Sequence, residues 1–299
     1  MIVVTTPTGA IGHQVLNHLL DAGEAVRVII RDPSKIPASQ RSRVEIIEGS
    51  HGDPEVVERA FKGADAVFWL LPPDPRAASL TGAYLDFTRP AAMAMKALGV
   101  KRVVIVTALG RHTELAQEAG YVTASLAMDD LIAGTGIALR ALAMPSFMDN
   151  ILRQADSIRD RGVFFSPISG NLKLPICATR DIAAVAVRWL LDESWNGQKE
   201  VPVLGPENIS FEDMANIISD VLGMPVSFQQ ISFEAYHSQF LKFGFSQAMA
   251  QGMTDMARAK DRGLDLGVVR TPENSTSTSF RQWCEEILRP LILNGERAS

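Results

Sequence analysis

The feature that most constrains this chain is an alternation. Short apolar runs at 2–5, 25–31, 44–48, 66–71, 102–107 and 137–141 are separated by stretches with helical spacing. The runs are apolar almost throughout rather than at every second residue, as strands covered on both faces require. Strand–helix alternation of this kind predicts an α/β protein with an open, doubly wound parallel sheet of the Rossmann type. With 299 residues, 46% of them hydrophobic, the chain can bury a sizeable core. Between the fourth and fifth runs, Leu80, Tyr84, Phe87, Ala91, Met95 and Leu98 recur at three- and four-residue steps on one helical stripe. Pro90 falls inside it and is expected to kink the helix.

After Met144 the pattern changes. Pro145, Gly162, Pro167, Gly170 and Pro175 punctuate a loop-rich region to about residue 178. A helix then follows, with Thr179 as its expected N-cap and Asp181 in the first turn. A strand is expected at 200–204, and a helix opened by Ser210 with Asp213 three residues on forms a near capping box. Further expectations are a strand near 226–231, helical Met-rich segments to about Arg262, a polar loop over 271–279 and a last amphipathic helix. We therefore expect a sheet domain over 1–150, to which the helix and strand of 178–204 return. A smaller, mostly helical lobe over 151–299 would close over the carboxyl ends of the sheet.

Composition narrows the function classes. A formal net charge of −5 is unsuited to a nucleic-acid or anionic-membrane surface. No stretch approaches the roughly 20 apolar residues of a membrane span. Cys177 and Cys284 are isolated, and the five histidines have no metal-ligand spacing, so neither a disulfide framework nor a metal site is expected. The first run begins at residue 2, leaving no room for a signal peptide, and we expect a cytoplasmic protein.

The turn after the first run reads TTPTGAIG, residues 5–12. Thr6, Gly9 and Gly12 occupy the three places of a G-x-x-G-x-x-G spacing between a strand and a helix. Glycine there lets the backbone approach a pyrophosphate, and the helix N-terminus behind it offers free N–H groups and a favourable dipole. Gly9 and Gly12 keep those roles. Thr6 lacks glycine's freedom and, preceding Pro7, is expected in extended geometry, with the first bend shaped differently. Arg31-Asp32 closes the second run about 20 residues on, where the ribose is read. An acid there suits the 2′-hydroxyl of NAD and an arginine the 2′-phosphate of NADP. Asp32 has local work as an N-cap ahead of Pro33, whereas Arg31 has none, which favours NADP(H) over NAD(H).

Together TTPTGAIG, RDPSK (31–35), DPEVVERAFKGADAVFWLLPP (53–73), VKRVVIVTALG (100–110), ALAMPSFMDN (141–150), DIAA (181–184) and LGPENISFEDMA (204–215) resemble, in order and spacing, the NmrA-like proteins. These are atypical short-chain dehydrogenase/reductases. The resemblance spans nearly the whole chain and implies an NADP(H)-binding Rossmann domain with a cleft beside a C-terminal region. It implies that Thr8, Gly9, Ala10, Ile11 and Gly12 line the pyrophosphate, with Arg31 and Lys35 facing the 2′-phosphate, and Thr6, at the first place of the turn spacing, is counted with the cofactor-binding candidates. Leu71 and Pro72 would border the nicotinamide-side ribose, and Thr107 would close the fifth strand.

Two departures matter. Relatives often carry Gly-Asp after the third strand, whereas Gly49-Ser50 stands here and Asp53 reads as a helix cap. Ordinary short-chain dehydrogenases pair a Ser/Thr hydroxyl with Tyr-x-x-x-Lys, the lysine lowering the tyrosine pKa. Thr107 fits the hydroxyl place and Tyr121 the tyrosine, but Ser125 stands where the lysine should be. Thr107 and Tyr121 are the catalytic candidates, and a carbonyl reduction by the standard route is not expected.

Three classes stay open: an NADPH-dependent reductase of quinone-like or aromatic acceptors, an NADP(H)-sensing regulator without turnover, and a tailoring enzyme acting on a polycyclic aromatic. For the first, Trp69, Pro73, His112, Phe147, Met148 and Asn150 would line the substrate cleft, with Phe164 and Phe165 beside them. Asp149-Asn150 can equally be read as a cap opening a helix over 151–161, and His112 as a solvated loop residue. The expected partner is a small aromatic substrate, and a homodimer is left open.

Overall fold

The computed structural model describes residues 1–293. The last residues of the expected C-terminal lobe, 294–299, lie outside the described residues. Strands β1 (Ile2–Thr5), β2 (Val26–Ile30), β3 (Val44–Glu48), β4 (Ala66–Trp69), β5 (Arg102–Ala108) and β6 (Ala138–Met144) follow the sequence expectation to within a few residues. They are followed by β7 (Ser146–Phe147), β8 (Val163–Ser166), β9 (Leu174–Cys177), β10 (Gln198–Pro202), β11 (Asn208–Ile209) and β12 (Ser227–Gln230). The helices are α1 (Gly12–Asp21), α2 (Pro54–Phe61), α3 (Phe87–Ala97), α4 (Tyr121–Ala133), α5 (Ala155–Arg161) and α6 (Thr179–Leu191), then α7 (Phe211–Leu222), α8 (Phe233–Lys242) and α9 (Gln247–Asp261).

The chain divides into two compact units. The first comprises Met1–Ala108, Ala124–Ala143 and Ile182–Val201. Its sheet has the order β10-β6-β5-β4-β1-β2-β3, and β3-β2-β1-β4-β5 pair in parallel throughout. β1 and β4 are buried at every position, as expected of strands covered on both faces. The order reverses beside β1, so the crevice where such sheets bind ligands opens at the carboxyl ends of β1 and β4. The segment 182–201 comes back to this unit, and Arg140 of β6 helps hold it. Its guanidinium lies over the rings of Trp189 and Trp195, at 4.8 and 4.1 Å, and donates to the carbonyls of Asn196 and Gly197.

The second unit comprises Leu109–Thr123, Met144–Asp181 and Pro202–Ser299. It contains the small sheet β11-β9-β7 and the parallel pair β12-β8. Its core gathers Met148, Ile158, Phe164, Ile218, Phe280 and Trp283. The expected boundary at 150 differs here, because the loop after β5 belongs to this unit. Gly110 has a φ of +114° and lies so close to Leu264 that a Cβ would meet its side chain at 2.6 Å, while a Cβ on Gly120 would meet the Gly252 carbonyl at 2.1 Å.

Local chemistry explains several elements and corrects others. The Ser210–Asp213 capping box is complete, with both reciprocal bonds formed. Asp53 caps α2 through Glu55 and Val56. Pro90 stands inside α3, and the helix arrives there through a π-helical turn over Gly82–Asp86. The proline has no N–H for the Asp86 carbonyl and its ring would crowd that oxygen, and a widened turn ending at Asp86 accommodates both. Pro290 repeats the device after a π-helical turn over Cys284–Leu288.

Thr179 is not an N-cap. It is the first residue of α6, and its N–H and hydroxyl both donate to the Asp149 carboxylate, at 3.1 and 2.9 Å. Asp149 correspondingly does not cap a helix over 151–161. It sits inside a 3₁₀ stretch, Met148–Gln154, that precedes α5, and serves α6 instead. Asp149→Ala should therefore lower the thermal midpoint, at a cost of about 1 kcal/mol, the usual loss for a helix-cap acceptor. Asn150→Ala, at an exposed neighbour, should leave thermal unfolding unchanged.

Candidate cofactor site and catalytic residues

The site is built where β1 stops. Val4 still pairs with Phe68 of β4, and beyond that the ladder ends. The Thr5 hydroxyl takes its place, accepting from the Leu70 N–H at 2.8 Å and lying 3.2 and 3.1 Å from the carbonyls of Phe68 and Leu70. Thr5 is fully buried and so ties the Leu70–Pro73 segment to the start of the turn. Sequence reading passed over Thr5. Its one signal was a hydroxyl ending an otherwise apolar run, immediately before the glycine turn.

Thr6 then does what sequence reasoning did not expect. Its φ is +50°, making it the one non-glycine residue with positive φ among the described residues. The left-handed region is strained for a β-branched side chain. It turns the Thr6 carbonyl inward, where it accepts the Gly9 N–H at 3.1 Å. The same carbonyl is pressed against Gly12, where a Cβ would meet it at 2.0 Å and the carbonyl carbon at 2.8 Å. Gly12 is thus required by the backbone itself.

Helix α1 starts without a side-chain cap and with no acidic residue in its first turn. Among the described residues, the N–H groups of Ala10, Ile11 and Gly12 have no acceptor. Free donors at a helix N-terminus, reached over glycine-lined backbone, form a ready anion site, and a dinucleotide diphosphate fits it. Thr8 and Ala10 are exposed on this turn, and Ile11 is buried beneath it.

At the end of β2, Asp32 is occupied as the sequence indicated. Its carboxylate accepts the Ser34 N–H at 3.0 Å and the Ser34 hydroxyl at 2.6 Å, opening a 3₁₀ turn at Pro33, and those bonds hold it below the usual carboxylate range. Arg31 and Lys35 are exposed beside it, and neither has a carboxylate partner within salt-bridge distance among the described residues. His51 follows β3, whose Gly49 N–H bonds the Ile30 carbonyl of β2 at 2.9 Å. Its ring meets Trp69 and Phe87 edge-on, with centroids 5.1 and 4.8 Å apart, and its buried Nε2 has no partner among the described residues. Burial first, and the Arg31 charge second, lower its pKa to about 4.

Several expected site residues are placed elsewhere. Trp69, wholly buried in β4, is core of the first unit and not cleft lining. Met148 and Phe164 belong to the core of the second unit, where Phe164 packs on Phe211 and Phe228. Phe147 and Phe165 are half-buried, Pro73 is half-buried and Asn150 exposed, and His112 is exposed in the loop after β5. Leu71 is buried and Pro72 exposed just beyond the segment Thr5 holds.

Thr107, at the carboxyl end of β5, is buried, and its hydroxyl lies 3.1 Å from that of Ser125 on α4. The place of the lysine is therefore filled by a neutral hydroxyl pair. Tyr121 is buried at the start of α4, and burial pushes its phenol up to about 12. A tyrosine that donates a proton readily needs the opposite shift. Thr107 and Tyr121 thus lack the electrostatics of the standard catalytic pair.

Comparison with known proteins agrees with this geometry. A family model described as NAD(P)H-binding matches residues 7–193. A (4-alkanoyl-5-oxo-2,5-dihydrofuran-3-yl)methyl phosphate reductase from Streptomyces griseus is 30% identical over 96% of this chain and 97% of its own length. An NAD(P)H azoreductase from Xenophilus azovorans is 27% identical, covering 95% of this chain and 96% of its own. Among solved structures, an NADPH-dependent quinone oxidoreductase from Escherichia coli in complex with NADPH superposes with a TM-score of 0.78 at 19% identity. That match covers 94% of this chain and 98% of the other, and establishes likeness of fold.

Two measurements check the site. Gly12→Ala should abolish nicotinamide-cofactor binding in calorimetric titration and lower the thermal midpoint, because the added methyl must displace the Thr6 carbonyl. The second is a pH dependence. His51 titrates at about 4 when folded and near 6.5 when unfolded, so the unfolded state alone takes up that proton as pH falls between those values. Stability should fall with acidification over this window, and His51→Phe should flatten that limb in denaturant titrations at pH 4–7. The fold, the phosphate turn and these matches make the chain a member of the NAD(P)H-binding family, an oxidoreductase of the atypical short-chain dehydrogenase/reductase type.

Proposed function

We propose that the chain is an NADPH-dependent reductase of quinone-like or other conjugated aromatic acceptors. The observation that carries the choice of acceptor is the state of Thr107, Ser125 and Tyr121. A simple carbonyl needs a positioned, acidified donor as hydride arrives. Here the tyrosine pKa is raised by burial and no cation stands at Ser125. A quinone or an azo compound spreads the incoming electron pair over a conjugated system and can take its proton from water. The names of two relatives, an azoreductase and a quinone oxidoreductase, fit this reading.

The preference for NADP(H) over NAD(H) rests on Arg31. Asp32 spends its carboxylate on Ser34, whereas Arg31 and Lys35 are exposed beside it without a carboxylate partner within salt-bridge distance among the described residues. An arginine offers a 2′-phosphate a charge-assisted, bidentate contact. The bound nicotinamide would supply the hydride. The chain's own part is to hold the diphosphate at the N–H groups of 10–12, to fix Leu71 and Pro72 through Thr5, and to keep a water-poor, uncharged surface at Thr107.

The test is a titration with NADPH and NADH side by side, followed by a quinone and azo-dye reduction assay. Arg31→Ala should weaken NADPH by about tenfold or more and leave NADH within about twofold, the range of one charge-assisted contact. Equal losses for both cofactors would refute the 2′-phosphate role. Reduction of simple ketones in preference to quinones would refute the acceptor class.

A further inference from the structure

Thr6 combines two features that each act against the fold without cofactor. Its backbone holds a left-handed conformation, φ +50°, that glycine would adopt without strain. Pro7 follows it, and a proline ring further restricts the residue before it. Its hydroxyl oxygen is sealed from solvent yet has no hydrogen-bond partner among the described residues. A buried hydroxyl without a partner is destabilising, and a valine of the same shape would avoid that cost. Both costs fall on one residue, at the first place of the phosphate turn. That residue is locked in position by its own carbonyl, which bonds the Gly9 N–H and covers Gly12. Strain that the surroundings over-determine in this way marks places where a conformation serves ligand binding.

We propose that Thr6 is a direct cofactor contact. Its hydroxyl turns about χ1 to donate to an anionic oxygen of the dinucleotide diphosphate, and that bond offsets the strain the free protein carries. The inference rests on the NADP(H) reading above and deepens it by assigning the donor. The free N–H groups at 10–12 supply the fixed part of the anion site. Thr6 adds a donor that the glycine usual at this place cannot supply.

The signature is an opposition between stability and affinity. Thr6→Val, Thr6→Ser and Thr6→Gly would be compared with wild type by scanning calorimetry of the free protein and by titration with NADPH and NADH. Thr6→Val should raise the thermal midpoint, since it removes the unpartnered hydroxyl, while weakening NADPH about tenfold or more. NADH should weaken by the same factor, because the two cofactors share the diphosphate, in contrast to the selective loss from Arg31→Ala. Thr6→Ser should keep wild-type affinity within about threefold. Thr6→Gly should raise the midpoint and weaken both cofactors. A Thr6→Val protein that binds NADPH as tightly as wild type, or that melts lower than wild type, would overturn the proposal. Wild type that binds neither cofactor would instead overturn the NADP(H) reading on which it stands.

Discussion

The first unit depends on a contact between two stretches of backbone: the Thr6 carbonyl laid against the Cα of Gly12. For that contact to form, β1 must end at Thr5 and the chain must reverse at once into α1. The reversal leaves β4 without β1 as a partner beyond Phe68, and the Thr5 hydroxyl bonds the Leu70 N–H on that side. It also brings α1 so close behind β1 that the helix begins uncapped, with its first N–H groups open to an anion. A side chain at Gly12 would separate helix from strand. The position of the free N–H groups at 10–12, the course of the chain at Leu70 and the packing of α1 would all change with it.

Much of this was legible in the sequence because it is written in short-range terms. Continuous apolar runs gave the sheet strands to within a few residues, and Asp32, Asp53 and Ser210 announced their caps through the residues just after them. What was not legible involves partners distant in sequence or competition between local rules. Thr6 precedes a proline, which argues for an extended residue, but the need to place its carbonyl under Gly12 prevails. Pro90 announces an irregularity in its helix, but not the π-helical turn over Gly82–Asp86 that accommodates it. Asp149 reads as a cap for the helix after it, whereas Thr179, thirty residues on, takes its carboxylate. Trp69, Met148 and Phe164 could have lined a cleft or filled a core, and apolar side chains carry no mark that separates the two. Burial alone does so.

The catalytic candidates teach a related point. Thr107 stands where the sequence placed it, yet its chemistry is set by Ser125, four places along α4 from Tyr121. A lysine there would lower a neighbouring phenol pKa and make the hydroxyl a strong donor. A serine leaves a neutral pair 3.1 Å apart that satisfies itself. Burial raises the pKa of Tyr121. One residue of the motif thus decides whether a cation stands beside the Thr107 hydroxyl, and the acceptor class proposed above rests on that difference.

The distribution of unfavourable features supports the location of the site independently of any motif. In the first unit, a strained non-glycine residue, an unpartnered hydroxyl, an uncapped helix start and an imidazole lowered to about 4 occur together at the carboxyl ends of β1, β2 and β3. Single conflicts occur elsewhere, as at the buried Thr88 hydroxyl and Arg140 Nε, which have no hydrogen-bond partner among the described residues, but backbone strain and an unpartnered hydroxyl coincide among the described residues at Thr6 alone. A sequence selected for stability alone would remove such conflicts one substitution at a time. At Thr6–Gly12 this strain lies beside N–H groups without an acceptor and beside Arg31, which has no carboxylate within salt-bridge distance among the described residues, features that an anion would offset.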